Sequence, residues 1–266
     1  LWAATGMHIP ALIQEQNGFA GLTNKKLGSR VQKICVAYEG MEKFFPADRI
    51  VMTGNPIRSI IVPVTPEMKA EGVKEYGLDP ARKHIFIVGG SLGSSRFNQC
   101  MRKWISDGCP GLDGVDVLWQ CGKYYKPGVD EFMEEQRAKN PDALRHIHHS
   151  DFIGRMELAY AAADVVVSRS GASSVSELCA VHKAVIFIPS PNVAEDHQTH
   201  NAMALVRNDA AVIVKDSDAM EKMIPTALDL LRNPERIATL EENAGKMALP
   251  DAAGKIAEEV YKLIKG

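Results

Sequence analysis

Apolar residues fall into short runs that alternate with polar or amphipathic stretches, and their spacing predicts strands joined by helices. In the first part of the chain strands read at 9–14, 34–37 and 49–53, with a helix over 22–28 and a helical turn or two over 39–45. From position 84 the rhythm becomes regular, with strands at 84–88, 115–120, 144–149, 164–167, 184–188 and 211–214 and helical patterns between most of them. Alternating strands and helices predict parallel sheets. Six strands in that rhythm predict a doubly wound sheet of the Rossmann kind. Three strands alone leave open edges, so the first unit reads as incomplete. Residues 220–266 read as helical, broken near Asn233-Pro234 and Leu249-Pro250, with an amphipathic last segment at 252–264.

Proline density at Pro63 and Pro66, and the fresh start near Lys83, place a linker at 59–82. The expected organisation is a partial amino-terminal domain at 1–58, that linker, a carboxyl-terminal Rossmann-like domain at 83–248, and a helix at 249–266 that returns across both. A length of 266 residues has room for two small domains. Leu1-Trp2-Ala3-Ala4 reads as the tail of a helix already under way, so the chain is expected to begin inside a domain. Net charge is −2, which gives no reason to expect a nucleic-acid partner. Five cysteines without C-x-x-C spacing read as reduced, mostly structural thiols of a cytosolic protein. No apolar run reaches the ~20 residues of a membrane span, which leaves surface attachment open.

Candidate chemistry concentrates in the stretch 168–201. Its strand ends at a Ser170-Gly171 turn and leads into a helix whose first turn carries Ser173, Ser174, Ser176 and Glu177. Free amides and small hydroxyls at a helix start suit an anion, although Ser174-Val175-Ser176-Glu177 also fits a capping box. A second strand then ends at Pro189 and opens a loop rich in donors, through Asn192, Asp196, His197 and Gln198. Both loops leave carboxyl ends of strands, where open parallel sheets bind ligands. Together they point to one elongated, phosphorylated ligand. Upstream, Gly89-Gly90-Ser91-Leu92-Gly93 is a strand-to-helix glycine turn that a phosphate could approach. The following strand ends in Gln120-Cys121-Gly122-Lys123 without the carboxylate that a nicotinamide dinucleotide's ribose needs, which disfavours a dehydrogenase. His146, His148 and His149 read as strand residues near a loop rather than zinc ligands. Asp216-Ser217-Asp218 reads as helix capping rather than a divalent-cation site. No metal and no cofactor are expected.

Six motifs then carry a resemblance in register over essentially the whole chain: Gln14 to Asn17, Gly54 to Arg58, Gly89 to Gly93, Asp151-Phe152-Ile153, Ser168 through Glu177, and Asp196-His197-Gln198 with Asn201-Ala202. Their order resembles the MurG family, bacterial N-acetylglucosaminyltransferases that convert lipid I to lipid II in peptidoglycan synthesis. The resemblance implies an α/β fold of GT-B type, two Rossmann-like domains with parallel sheets, the amino-terminal one incomplete. By motif, Ser91 is similar to the residue that meets the donor's diphosphate. Ile153 is similar to the one whose backbone reads the uracil edge. Ala172, Ser173, Ser174, Val175 and Ser176 resemble the segment beside the nucleotide, and Glu177 the carboxylate that accepts the ribose hydroxyls. Gln198 resembles a contact to the N-acetylglucosamine hydroxyls, and Asn17 and Arg58 resemble contacts from across the cleft.

The family's amino-terminal glycine-rich loop, with the histidine proposed as general base, has no match here, so the catalytic base is expected before Leu1. Implied partners are UDP-N-acetylglucosamine, lipid I (undecaprenyl-diphospho-muramoyl pentapeptide) and the cytoplasmic face of the bacterial inner membrane, with peripheral attachment. The expected reaction is metal-independent and inverting. The chain alone is expected to bind UDP-sugar poorly or moderately and to turn over little. Two readings remain beside this one: the donor-binding half of a split glycosyltransferase, and a UDP-sugar transferase acting on another lipid acceptor.

Overall fold

The structure, a computed structural model, describes residues 1–265. The first body holds α1 (Trp2–Gly6), β1 (Leu12–Glu15), α2 (Leu22–Gly28), β2 (Lys33–Val36) and β3 (Ile50–Met52), the strands parallel in the order β1-β2-β3. A short 3-10 turn, Met41–Lys43, stands where a helical turn or two is expected at 39–45, and a second, Ala47–Arg49, precedes β3. The first strand starts at Leu12 rather than at position 9, because Pro10 has no N–H to give a ladder. Its pairing begins at Leu12 opposite Lys33.

After α3 (Pro66–Glu75) the second body runs β4 (Lys83–Val88), α4 (Ser95–Ser106), β5 (Val115–Gln120), α5 (Lys126–Lys139), α6 (Pro141–Leu144), β6 (Ile147–Ser150) and α7 (Met156–Ala162). It continues with β7 (Val165–Ser168), α8 (Ala172–Ala180), β8 (Val185–Phe187), α9 (His197–Val206), β9 (Val212–Ile213), α10 (Ala219–Leu231), α11 (Pro234–Lys246) and α12 (Ala252–Lys265). Its six strands are parallel in the order β6-β5-β4-β7-β8-β9. The direction of winding therefore reverses between β4 and β7.

Alternate residues of the central strands face two separate cores. Ile85, Ile87, Val117, Trp119, Val165 and Val167 pack with Phe97, Met101 and Met223 of α4 and α10. Phe86, Val88, Leu118, Val166 and Phe187 pack with Tyr160, Val175, Leu178 and Leu205 of α7, α8 and α9. A strand buried on both faces needs a continuous apolar run, which is why these segments stood out in the sequence. At β6 the expected strand loses its first residues: Pro141 opens α6, the Asn140 side chain accepts the Ala143 N–H at 3.3 Å, and Leu144 ends that helix.

Residues 59–82, expected as a linker, are fastened to the second body. Thr65 caps α3, and Gly72 lies so close to α7 that a Cβ there would stand 2.3 Å from the Leu158 carbonyl oxygen. Lys69 Nζ donates to Asp164 Oδ1 at 2.6 Å. The chain passes between the bodies at Gly54 to Arg58 and again at Ala248 to Ala252, and the two passages touch. Gly54 has φ +86°, and a Cβ there would stand 2.7 Å from Leu249 Cβ and 3.4 Å from Ala252 Cβ. Beyond that point α12 lies against the first body: the Cys35 thiol is pushed up by burial, and then by the charge of Glu259 on α12.

Candidate functional site

The winding reversal opens a crevice at the carboxyl ends of β4, β7 and β8, and a cavity of about 490 Å³ occupies it. Such crevices hold ligands in open parallel sheets because the loops on either side diverge. One wall is the turn after β4. Gly89 fits where a Cβ would meet Ser94 N at 2.5 Å, and Gly90 and Gly93 take φ of +91° and +78°. Ser91 and Leu92 form the exposed tip of that turn. The facing wall is the start of α8. Its N-cap is Gly171 in an extended conformation with no side-chain cap, so the capping box anticipated at Ser174 to Glu177 does not form. Ser174, Ser176 and Glu177 sit one turn further in. The first-turn amides of α8 are left without a side-chain acceptor and carry the positive end of the helix dipole.

Glu177 points toward the seam between the bodies. Tyr160 Oη donates to Glu177 Oε2 at 3.0 Å, and Arg58 Nη2 lies 3.4 Å from Glu177 Oε1. Burial, and then the Glu177 charge, push the Tyr160 hydroxyl well above its ordinary range, which fixes it as a donor. Arg58 is half exposed and faces Glu177 rather than lining the cavity. Ile153 is buried on the loop after β6, and among the described residues its N–H and C=O make no main-chain hydrogen bond. That leaves both free for the edge of a planar ring.

The seam itself is polar. Gly18 N donates to Asn201 Oδ1 at 2.8 Å, Asn201 Nδ2 to Asn17 Oδ1 at 3.1 Å, and Asn55 Nδ2 to Ser176 Oγ at 3.1 Å. Gln198 is tied down from both ends: its Oε1 accepts Ser190 N–H at 2.8 Å and its carbonyl accepts the Ser170 hydroxyl at 2.8 Å. Ala172 is buried, Ser173 exposed, and Val175 packed in the core behind them.

Three charged residues that line the cavity, Arg96, Arg169 and Asp216, were not among the expected site residues. Arg169 Nη1 donates to Asp216 Oδ1 at 2.7 Å and to the carbonyls of Ile188 and Pro189, while its Nη2 donates to Ser94 Oγ at 2.9 Å. Arg96 Nε donates to the other Asp216 oxygen at 3.1 Å. Asp216 therefore does not cap α10, as its Asp-x-Asp spacing implied; the N-cap position is Asp218, whose carboxylate pairs with Lys222 at 2.9 Å. Two of the three histidines are held by carboxylates, His146 Nδ1 2.8 Å from Asp116 and His149 Nε2 2.7 Å from Asp130, while His148 Nε2 is buried 3.8 Å from Asp116 without a hydrogen-bond partner among the described residues. All five cysteines are buried and unpaired.

A second cavity, of about 540 Å³, lies between the bodies at the other end of α9, lined by Tyr38, Met52, Cys179, Leu205, Arg207 and Lys246 among others. The ends of α9 and α11 that reach it are carboxyl ends, which carry negative partial charge. Of the two cavities the smaller one suits an anion.

Residues 84–256 match the glycosyltransferase family 28 C-terminal domain. The chain is 47% identical over 264 residues to the UDP-N-acetylglucosamine--N-acetylmuramyl-(pentapeptide) pyrophosphoryl-undecaprenol N-acetylglucosamine transferase of Parabacteroides distasonis, over 99% of this chain and 69% of that protein. The protein of the same name from Bacteroides thetaiotaomicron is 49% identical over 257 residues, over 97% of this chain and 67% of its own length. The crystal structure of Acinetobacter baumannii MurG superposes with a TM-score of 0.74 at 28% identity, covering 98% of this chain and 69% of that one. The glycine turn, the uncapped α8 and the crevice between them thus sit in a chain that belongs to glycosyltransferase family 28.

Proposed function

We propose that this chain is the donor-binding part of an inverting N-acetylglucosaminyltransferase that moves N-acetylglucosamine from UDP-N-acetylglucosamine to lipid I, forming lipid II for peptidoglycan. In this reading residues 83–248 hold the donor and residues 1–58 belong to the acceptor side. Uracil lies on the Ile153 backbone, the ribose hydroxyls on Glu177, the diphosphate between the Gly89–Gly93 turn and Ala172 to Ser174, and the sugar against Gln198 and Asn17. The muramoyl 4-hydroxyl oxygen bonds to the anomeric carbon as that carbon's bond to the diphosphate oxygen breaks. The bonding pair leaves with UDP, and the hydroxyl proton passes to a base that no residue of this chain is assigned to supply. Positioning, and donors aimed at the charge gathering on the diphosphate, provide the acceleration. The acceptor is a lipid, so the enzyme works at the cytoplasmic face of the cell membrane as a peripheral protein. No helix among the described residues is long and apolar enough to cross one.

The observation that carries this reading is the uncapped start of α8 opening into the switch-point cavity, with Glu177 about a turn and a half further along the same helix. Calorimetric titration with UDP and with NAD tests it. Saturable UDP binding with no heat from NAD is expected; tight NAD binding with no response to UDP would overturn it.

A further inference from the structure

Arg58, expected as a contact from across the cleft, is engaged with Glu177 at 3.4 Å, on the ribose side. The cavity has cations of its own. Two guanidinium groups, Arg96 and Arg169, and one carboxylate, Asp216, line it together, which leaves one positive charge uncompensated beside the start of α8. The two arginines differ in how far the protein has used them. Arg169 is nearly buried, rests over the Phe97 ring at 4.6 Å, and spends its nitrogens on Ile188, Pro189, Asp216 and Ser94. It ties together the loops after β7 and β8 and the cap of α4, and so holds the cavity walls in place. Arg96 is about one-third exposed, on the first turn of α4 beside the glycine turn. It donates only through Nε, to Asp216 at 3.1 Å; among the described residues its two terminal nitrogens have no hydrogen-bond partner.

We infer that Arg96 is the cation that binds the donor's diphosphate, with Asp216 as its resident counter-ion and Arg169 as the positioning residue that fixes Asp216. This rests on the donor-site reading above and adds the residue that makes the site prefer a diphosphate over a bare nucleoside. The planar guanidinium, anchored at Nε, keeps a pair of parallel N–H donors for phosphate oxygens, the geometry that makes arginine a phosphate ligand. Asp216 sets the guanidinium plane and offsets one of the cavity's two positive charges. An arriving diphosphate then meets a donor pair already oriented.

Calorimetric titrations of the wild-type chain, Arg96→Ala and Arg96→Lys with UDP and with uridine test this. Arg96→Ala is expected to weaken UDP about 30-fold, the size of one charge-assisted hydrogen-bonded contact, and to leave uridine unchanged. Arg96→Lys should recover part of the UDP affinity through its charge but not all of it, since it lacks the fork. Equal UDP affinity in wild type and Arg96→Ala would overturn the assignment, and so would a parallel loss of uridine, which marks a structural role. A wild-type chain that binds uridine but gains nothing from the two phosphates removes the diphosphate subsite altogether. One that binds neither ligand sinks the donor-site reading itself.

Discussion

The two edges of the six-stranded sheet treat charge in opposite ways. At the amino edge buried charges are answered by the protein. Asp116, nearly inaccessible, lies 2.7 Å from Arg82 and 2.8 Å from His146 and accepts the Asp79 N–H at 2.8 Å. Asp164 accepts from Lys69 and from the His84 N–H, and buried Lys183 donates to the Ala163 carbonyl beside Glu241. At the carboxyl edge charge and donors are left over: the first amides of α8, the outer nitrogens of Arg96, the Ile153 backbone. A buried charge with its partners in place stabilises a fold and is silent toward ligands. Donors held in place without partners are what an anionic ligand recognises. The difference separates residues that hold the sheet from residues that bind.

Asp116→Ala gives the sharpest test of that separation. It leaves Arg82 without its counter-ion and the Asp79 amide without its acceptor, and removal of one partner of such a buried pair costs about 3–5 kcal/mol. A fall of that size in urea-unfolding free energy is expected, with UDP affinity of the folded fraction unchanged; lost affinity without lost stability would erase the distinction between the edges. At the carboxyl edge Glu177→Ala should do the reverse, weakening UDP by about 2–3 kcal/mol, the range for a hydrogen bond to a charged group, while unfolding free energy moves less. Calorimetry and urea melts on one preparation read both. Gly93→Ala tests whether the glycine turn is built or incidental. Its φ is +78°, and a Cβ would stand 2.3 Å from the Cys121 carbonyl oxygen, so the turn must shift at a cost of more than about 1 kcal/mol, seen as weaker UDP binding and a lower melting temperature.

The smallest effect is a pH dependence of the amino edge. Burial holds the His148 imidazole below its ordinary value against the opposing pull of Asp116. A base with a depressed folded pKa contributes stability above its unfolded value and loses it as pH falls through the folded one. Unfolding free energy should therefore decline below about pH 6.5, and His148→Gln should flatten that part of the curve. An unchanged slope in the variant would assign the decline to other groups.

What was legible in the sequence follows from the range of the interactions. Strands buried on both faces announce themselves as apolar runs, unbroken at 184–188 and interrupted only near the ends, by Asp116 and Gln120, at 115–120. The glycine turn at 89–93 was legible because its backbone permits little else at Gly90 and Gly93. Open alternatives and misreadings came where a local pattern had two solutions. Ser174 to Glu177 has the letters of a capping box, but Gly171 takes the N-cap and moves those residues inside the helix. Leu144 looks like a strand residue until Asn140 and Pro141 start a helix beneath it. The Arg169–Asp216 and Arg96–Asp216 contacts span 47 and 120 positions; nothing near either arginine signals its partner. The stretch 59–82 reads as a linker because its prolines are local, whereas the α3 contact with α7 that fastens it is not.

The touching passages at Gly54 and Leu249 have a mechanical consequence. With both covalent tethers gathered at one corner, the two bodies resemble covers bound along a single spine. The fore-edge, where Asn17 and Gly18 meet Asn201 and Phe19 stacks on His200 at 5.0 Å, is held by side-chain contacts rather than by a covalent tether. Any swing about the spine would change the gap most at that margin and least at the tethers.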